Sequence, residues 1–592
     1  MIHRHRTTGW SRQAAGIVTV LVVLWAAHDA AGLTVQDARW GFNGQVVPAR
    51  INILTVQLRN ESDAPFDGEL ILRRTEGIGP VGAPDVQTAF ITPGGTRRVQ
   101  FFTYHSQPDE KWVLSWGSGA DQRLNLNSPD LGAPATVFFQ DPDDVYSRPK
   151  LKTFPEEDFP ATVSATDGLY CAVLDHVPEQ DQARRQAFMD WLRRGGVLAI
   201  LTDAGGAWPR FPADMGELNT ERESFQVGAG RVLKLRASRA DADLPAVLAG
   251  QGIVPLEFAE SRGWRGAENP VFMRLRELAD PPHAWGLIYL VAIVYMVLLG
   301  PVSFLLSRRW RDRHWPLLFF LGTVLVFSLI LERIGRRGYG ESAAVHVLAY
   351  ARPIQADSYD VTQWANAFVT RGGWYTVQHL SAHNLYAFGE EMEAVNGELR
   401  NGLDGSFRVD MPLYSSRSFV HRGFLKGPDL SVSLISLGGD EELDDLVFSC
   451  GPDFPKEVLD VSAVYDGKLY RLGLRGDRLE LRSGTPRDLD DFLLPDNSGS
   501  WRGPTYVRRG SGEEEATDRD GVYRDMVPAA IAYGLGATPG RSYRLTRDLG
   551  PPDCVQLFVT APCPESFAMR GRPMGSQEGY VVYHLCVPLS SR

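Results

Sequence analysis

Residues 285–331, WGLIYLVAIVYMVLLGPVSFLL–SRRWRDRH–WPLLFFLGTVLVFSLIL, decide how the rest of the chain is laid out. The first block, Trp285–Leu306, carries no charge over about 22 residues, close to the roughly 20 that cross a bilayer core as helix. The second, Trp315–Leu331, has about 17, at the short end of the spanning range, with Pro316 near its start where a missing N–H costs least. Neither block has the polar stripe of a helix lying on a soluble core. The sequence therefore predicts a two-helix transmembrane hairpin, with a kink at Gly300-Pro301. Arg308, Arg309, Arg311 and Arg313 outweigh Asp312 in the connecting loop, which assigns that loop to the cytoplasm and both long flanks to the other side.

The N-terminus supports the same topology. Arg4, Arg6 and Arg12 precede the apolar run Ala14–Ala27 and the small residues Ala30, Ala31 and Gly32, the pattern of a signal peptide or N-terminal anchor over 1–32. At 592 residues the chain exceeds one core, so three or four folded units are expected. With 44% hydrophobic and 22% charged residues, most of it can fold. A net charge of −11 argues against nucleic acid as a partner, and five cysteines in so long a chain do not make a disulfide scaffold.

Residues 33–134 alternate strand formers (Ile51–Leu58, Leu70–Leu72, Val99–Tyr104, Lys111–Trp116) with Gly/Pro turns, which predicts an immunoglobulin-like β-sandwich. Asn60-Glu61-Ser62 reads as a turn or as a glycosylation acceptor. Residues 135–280 change rhythm. Thr136–Phe139, Leu169–Leu174 and Val197–Leu201 are short apolar runs, and between the last two Glu179–Arg194 sets Ala183, Ala187, Trp191 and Leu192 on one stripe before Gly195-Gly196. That is a βαβ unit and predicts a parallel sheet. Val271–Leu278 is a short helix ahead of Pro281-Pro282.

The stretch Leu169–Thr202, LYCAVLDHVPEQDQARRQAFMDWLRRGGVLAILT, resembles class I glutamine-amidotransferase-like domains of bacterial membrane proteins, in which transmembrane helices follow the domain. The resemblance covers about residues 135–335. It implies an extracytoplasmic α/β domain and, as partners, a MoxR-type ATPase and von Willebrand-type proteins. It does not carry amidotransferase activity here, because Cys171 sits inside an apolar strand without the glycine-flanked elbow a nucleophile needs. Asp141, Asp143 and Asp144 follow the first strand, Asp175 and His176 the second and Asp203 the third. The carboxyl ends of parallel strands border the ligand crevice, so Asp141, Asp143, Asp175 and Asp203 are candidate oxygen ligands for Mg²⁺ or Ca²⁺. The same residue type also caps helices and closes turns. Thr202–Gly206 offers a glycine-containing loop without the lysine of a phosphate loop.

Residues 340–592 read as a β-rich extracytoplasmic region, with Asp466-Gly467 as a two-residue hairpin turn and Val522–Leu535 as a helix packed on the sheet. Antiparallel pairing of Val555–Ala561 with Tyr580–Val587, with Ala561 opposite Tyr580, sets Cys554 opposite Val587, one step from Cys586, leaving either a disulfide after a small register shift or two buried thiols. The expected fold class is thus a multidomain α+β membrane protein. The expected function is a non-enzymatic, multi-pass inner-membrane envelope protein whose partners are the lipid bilayer and other proteins, without a cofactor. The alternative is a ligand- or cation-binding sensor built on the acidic cluster.

Overall fold

A computed structural model describes residues 32–589 apart from 78, 106–109, 118–119, 121, 141–150, 204, 240–243, 254–267, 280–284, 310–313, 338–342, 390–392, 440–441, 483–484, 494–517 and 537–553. The chain is mixed α+β and rich in strands. The segment 1–31, where the signal or anchor is expected, lies outside the described residues.

The N-terminal module packs two sheets. Leu33–Trp40, Ile51–Asn60 and Thr96–Tyr104 form one, all antiparallel. Phe66–Glu76, Gly79–Ile91, Lys111–Trp116 and Gln122–Leu126 belong to the other. Alternate residues from both, among them Leu54, Val56, Leu70, Leu72, Phe101 and Leu114, fill the space between them. The second sheet does not end with the module. Gly79–Ile91 pairs in parallel with Gly397–Arg400, and through it with Ser406–Met411 and Gly373–Val377, so strands from beyond the apolar hairpin complete a seven-stranded sheet. Asn60 is buried: its Nδ2 donates to Ala64 O and Ile91 O while its Oδ1 accepts from Ser62, so the Asn-Glu-Ser triplet is a closed Asx turn rather than an exposed acceptor.

The α/β unit has six strands in the order Thr153–Pro155, Ala135–Gln140, Leu169–Leu174, Val197–Ile200, Gly230–Lys234, Ser224–Val227. All neighbours are parallel except the last pair. The crossover helix Gln182–Arg194 is capped by the Asp181 carboxylate, which accepts from Arg184 N, and it stops at Gly195, whose φ of 128° no side-chain residue readily adopts. Gly196 has a second role. A Cβ there would lie 2.4 Å from the Trp191 ring, and that ring in turn donates from Nε1 to Leu169 O at 3.1 Å.

Beyond the hairpin, a long sheet carries one parallel pair, Ala344–Gln355 beside Ser576–Pro588, in an otherwise antiparallel array. Asp466 and Gly467 both have positive φ, as the expected two-residue turn between Asp460–Tyr465 and Lys468–Arg475 requires. One face of this sheet packs against helices Gln182–Arg194, Glu268–Ala279 and Arg519–Gly534. A single apolar core therefore runs from Phe139, Phe188 and Trp191 in the α/β unit through Leu275 and Ile531 to Leu348 and Trp364. Cys554 and Cys586 form a disulfide. Ala561 stands opposite Val581 rather than Tyr580, which makes the two cysteines diagonal neighbours with Cα atoms 5.8 Å apart.

In the apolar region, helix Trp285–Val297 passes through a π-turn at Leu298–Val302, which absorbs Pro301, into helix Ser303–Arg309. The return helix is His314–Arg337, and the two touch where Tyr295 meets Phe327 at 5.0 Å between ring centroids. The stretch Tyr289–Arg309, 21 residues with mean hydropathy 2.3 and none of it buried, is the one helix among the described residues long and apolar enough to cross a membrane. His314–Ile330 is a shorter apolar helix.

Candidate functional site

The carboxyl edge of the parallel sheet is where an α/β protein places its ligand groups. Glu156 follows the strand Thr153–Pro155, Asp175 and His176 follow Leu169–Leu174, and Arg239 follows Gly230–Lys234. Their side chains meet. His176 lies between two carboxylates, Nδ1 at 2.9 Å from Asp175 Oδ1 and Nε2 at 3.1 Å from Glu156 Oε2. Arg239 donates Nη2 to Asp175 Oδ1 at 2.8 Å and Nε to Asp175 Oδ2. Glu156 Oε1 accepts from Glu179 N at 2.7 Å.

Burial works against a charge on His176, but the hydrogen bonds to Asp175 and Glu156 and the two negative charges outweigh it and push its pKa up to about 9. Asp175 moves the opposite way: burial would raise it, yet His176 and Arg239 hold it below the usual carboxylate range. Near neutral pH His176 is therefore an imidazolium with both N–H groups donated. It offers no lone pair to a metal or to a substrate proton.

Asp203 serves a different purpose. Its Oδ1 accepts from Gly205 N at 2.8 Å and Ala207 N at 2.9 Å, and its carbonyl accepts from Gly206 N. These N–H groups are the ones a phosphate would use, so Asp203 closes the loop that the sequence offered as a phosphate cradle. Asp141, Asp143 and Asp144 lie outside the described residues. Among the described residues no three His, Cys, Asp or Glu side chains are grouped to hold a metal ion. Cys171 is fully buried, and burial pushes its pKa up to about 12, the state of a packing thiol.

A second cluster, which the sequence did not announce, joins the α/β unit to the long sheet. Asp360, in the strand Ser358–Val369, accepts from Arg194 Nη1 at 2.7 Å, from Arg422 Nη2 at 2.5 Å and from Ser164 Oγ at 3.0 Å. Asp167 accepts from Arg422 Nη1 and, at 2.9 Å, from Nη2, with Arg194 at 3.2 Å and Arg352 at 3.5 Å. Tyr533, on the helix Arg519–Gly534, accepts from Arg422 at its hydroxyl and carries Arg50 over its ring, 3.3 Å from the centroid. Burial would raise both aspartates, but the surrounding guanidinium groups win and depress them. One signal was present in the sequence. Ser358–Val369 is a long strand former that carries Asp360, Thr362, Gln363 and Asn366, and such residues survive inside a doubly covered strand only when paired.

A cleft of about 550 Å³ lies between the sandwich and the α/β unit, lined by Gln57, Arg97, Arg98, Glu157 and Arg184 among others. Its arginines are engaged: Arg98 with Glu157 and Asp158, Arg184 with Asp181 and Phe159 O, and Arg97 with Phe90 O.

No family model matches the chain, and no protein of curated function does. Among solved structures it is similar over 20% of its length to 41% of the alkylpurine DNA glycosylase AlkC of Pseudomonas fluorescens, at 13% identity and a TM-score of 0.13. It is similar over 17% to 16% of a β-glucosidase from Listeria innocua, at 10% identity and a TM-score of 0.13. A cycloisomaltooligosaccharide glucanotransferase from Paenibacillus sp. aligns over 77% of this chain and 98% of its own, at 10% identity and a TM-score of 0.16. The chain thus spans about two fifths of the DNA glycosylase and about a sixth of the β-glucosidase. Likenesses at these TM-scores establish neither a shared fold nor a shared activity.

Proposed function

We propose that the chain is a non-enzymatic scaffold of the cell envelope, anchored by a two-helix hairpin and presenting one rigid extracytoplasmic body to protein partners. The observation that carries this reading is the state of the described residues at the sheet's carboxyl edge. Where an enzyme keeps a base, a nucleophile or an open metal position, Glu156, Asp175, His176 and Arg239 are committed to one another. Three further features support it. Phe304, Leu305, Leu317, Leu321, Leu325 and Leu329 are each more than half exposed, a surface that suits lipid tails. The disulfide suits an oxidising compartment on the far side of the membrane. The shared core and the Asp360–Arg422 cluster fasten the sandwich, the α/β unit and the long sheet together, as a scaffold requires.

The resemblance of Leu169–Thr202 to amidotransferase-like domains suggests the partners: von Willebrand-type proteins on the exported body and a MoxR-type ATPase on the arginine loop. Crosslinking in native membranes followed by mass spectrometry tests this. Recovery of such proteins supports the scaffold. Hydrolysis of an ester, amide or phosphate substrate by the purified chain, lost on Asp175→Asn, refutes it.

A further inference from the structure

Both chain segments that lead into and out of the apolar hairpin join the body at one end of the long sheet. On the way in, helix Glu268–Ala279 lies against that end: Leu275 O accepts from Asn366 Nδ2 at 3.4 Å, and Arg276 Nε donates to Ser418 Oγ at 3.2 Å. Trp285 follows Ala279 six positions later. On the way out, Ala344 follows Arg337 by seven positions, stands opposite Phe368 and lies beside Ser576. Phe368 in turn faces Ser416, and Val369 faces Ser415. The sheet end defined by Ala344, Val369 and Ser415 is therefore the end nearest the hairpin, and seven residues of chain reach at most about 25 Å.

Two connections project from that end and lie against each other. Pro412–Tyr414 leads into Ser415, and Gly372, just ahead of Trp374, sits so close that a Cβ on it would lie 3.1 Å from Leu413 N. Leu413, Tyr414 and Trp374 are 60%, 51% and 53% exposed, although each is large and apolar. Tyr414 has φ +53°, a conformation that bulky residues avoid, and Ser415 Oγ braces the turn by donating to Pro412 O at 2.7 Å. The exposed guanidinium of Arg408 stands 4.7 Å over the Trp374 ring. A tryptophan, a tyrosine and a leucine held out beside arginine are the residue types that sit at lipid headgroup depth.

Resting on the membrane-spanning reading above, we propose that Leu413, Tyr414 and Trp374 form a second membrane contact, seated in the headgroup layer of the bilayer that the hairpin crosses. The contact fixes the tilt of the exported body relative to the membrane. A body that rests on this turn presents one constant face to its partners.

The test uses the full chain with Cys563 replaced by serine, reconstituted in phosphatidylcholine/phosphatidylglycerol nanodiscs, with a fluorophore on one introduced cysteine and brominated lipid as quencher. Three sites are compared: Leu413→Cys, Phe320→Cys in the return helix, and Leu403→Cys. Leu403 is 71% exposed and pairs with His383, level with Phe424, nine residues along the strand from Ser415 and so roughly 30 Å from the proposed contact. The proposal expects loss of fluorescence at 413 and 320 and none at 403. Quenching at 320 with none at 413 overturns the second contact and leaves the hairpin standing. Absence of quenching at 320 overturns the spanning reading, and the second contact with it. Leu413 and Leu403 are both exposed, so neither substitution disturbs a core.

Discussion

Replacing Asp360 by asparagine keeps the side-chain shape and removes one buried negative charge from the cluster. The carboxylate is 1% exposed and holds two guanidinium groups, Arg194 at 2.7 Å and Arg422 at 2.5 Å. Removing one partner of a buried ion pair costs about 3–5 kcal/mol, because the remaining charge stays buried without its counter-ion. Asp167 still faces both arginines, so we take about 4 kcal/mol. A global melt is a poor readout for a chain of several packed units, whereas amide hydrogen exchange reads the opening of one region. At about 1.4 kcal/mol per decade, the amides of Ser358–Val369 and of Val163–Ala165 should exchange about 10³-fold faster in Asp360→Asn than in the parent. The double variant Arg194→Met with Asp360→Asn should recover part of the loss, since it removes part of the excess positive charge that the single substitution leaves on the cluster. A change under tenfold, or one confined to the substituted strand, refutes the claim that this cluster fastens the α/β unit to the sheet. The pH dependence has a definite sign. Both aspartates are depressed in the folded chain, so their stabilisation is present above the ordinary carboxylate pKa and is lost as pH falls through the lowered values.

Four further outcomes follow from the same structure. His176 is raised to about 9, so the edge cluster is fully stabilising below pH about 6.5 and weakens as pH rises through 9; exchange at Glu156 and Glu179 should quicken across that window, and His176→Gln should abolish the dependence. Gly196→Ala forces a methyl group against the Trp191 ring and should cost about 1–3 kcal/mol in chemical denaturation, whereas Gly206→Ala, whose Cβ meets nothing within 4 Å, pays only for a positive φ of 79°. Alkylation of the denatured, unreduced chain should modify three cysteines, Cys171, Cys450 and Cys563, and reduction should add two. Breaking the Cys554–Cys586 link should lower stability by about 4 kcal/mol, the loop-closure value for a separation of 32 residues.

Local patterns were legible and long-range ones were not. The βαβ unit could be read because its signals sit within some thirty residues: an apolar strand, a stripe ending in Gly-Gly, another apolar strand. Asp466-Gly467 could be read because positive φ at two successive positions is a property of those residues themselves. The joining of Gly79–Ile91 to Gly397–Arg400 could not, since more than 300 residues separate the partners and an edge strand gives no local sign of which chain will cover it. The ion cluster stayed hidden for the same reason. Arg194 looks like an ordinary basic residue at a helix C-terminus, and nothing near it in sequence reveals that Asp360 and Asp167 neutralise it. The candidate acids stand out in the sequence by their place after strands. That placement holds for Asp175 and Asp203, but their partners, Arg239 and the backbone of residues 205–207, decide what they do. Pairing Ala561 with Tyr580 misses the observed partner Val581 by one residue, because Cys554–Pro562 is buried on both faces and offers no in-and-out alternation to pin its register.

In the proposed topology the body is exported on both sides of a spanning hairpin whose loop is cytoplasmic. Single cysteines at Phe90, Trp310 and Leu403, one on each flank and one in the loop, exposed to a membrane-impermeant maleimide on intact spheroplasts, test it most directly. That topology predicts labelling at 90 and 403 before permeabilisation and at 310 only after it. Labelling at 310 from outside, or protection of either flank, would contradict it.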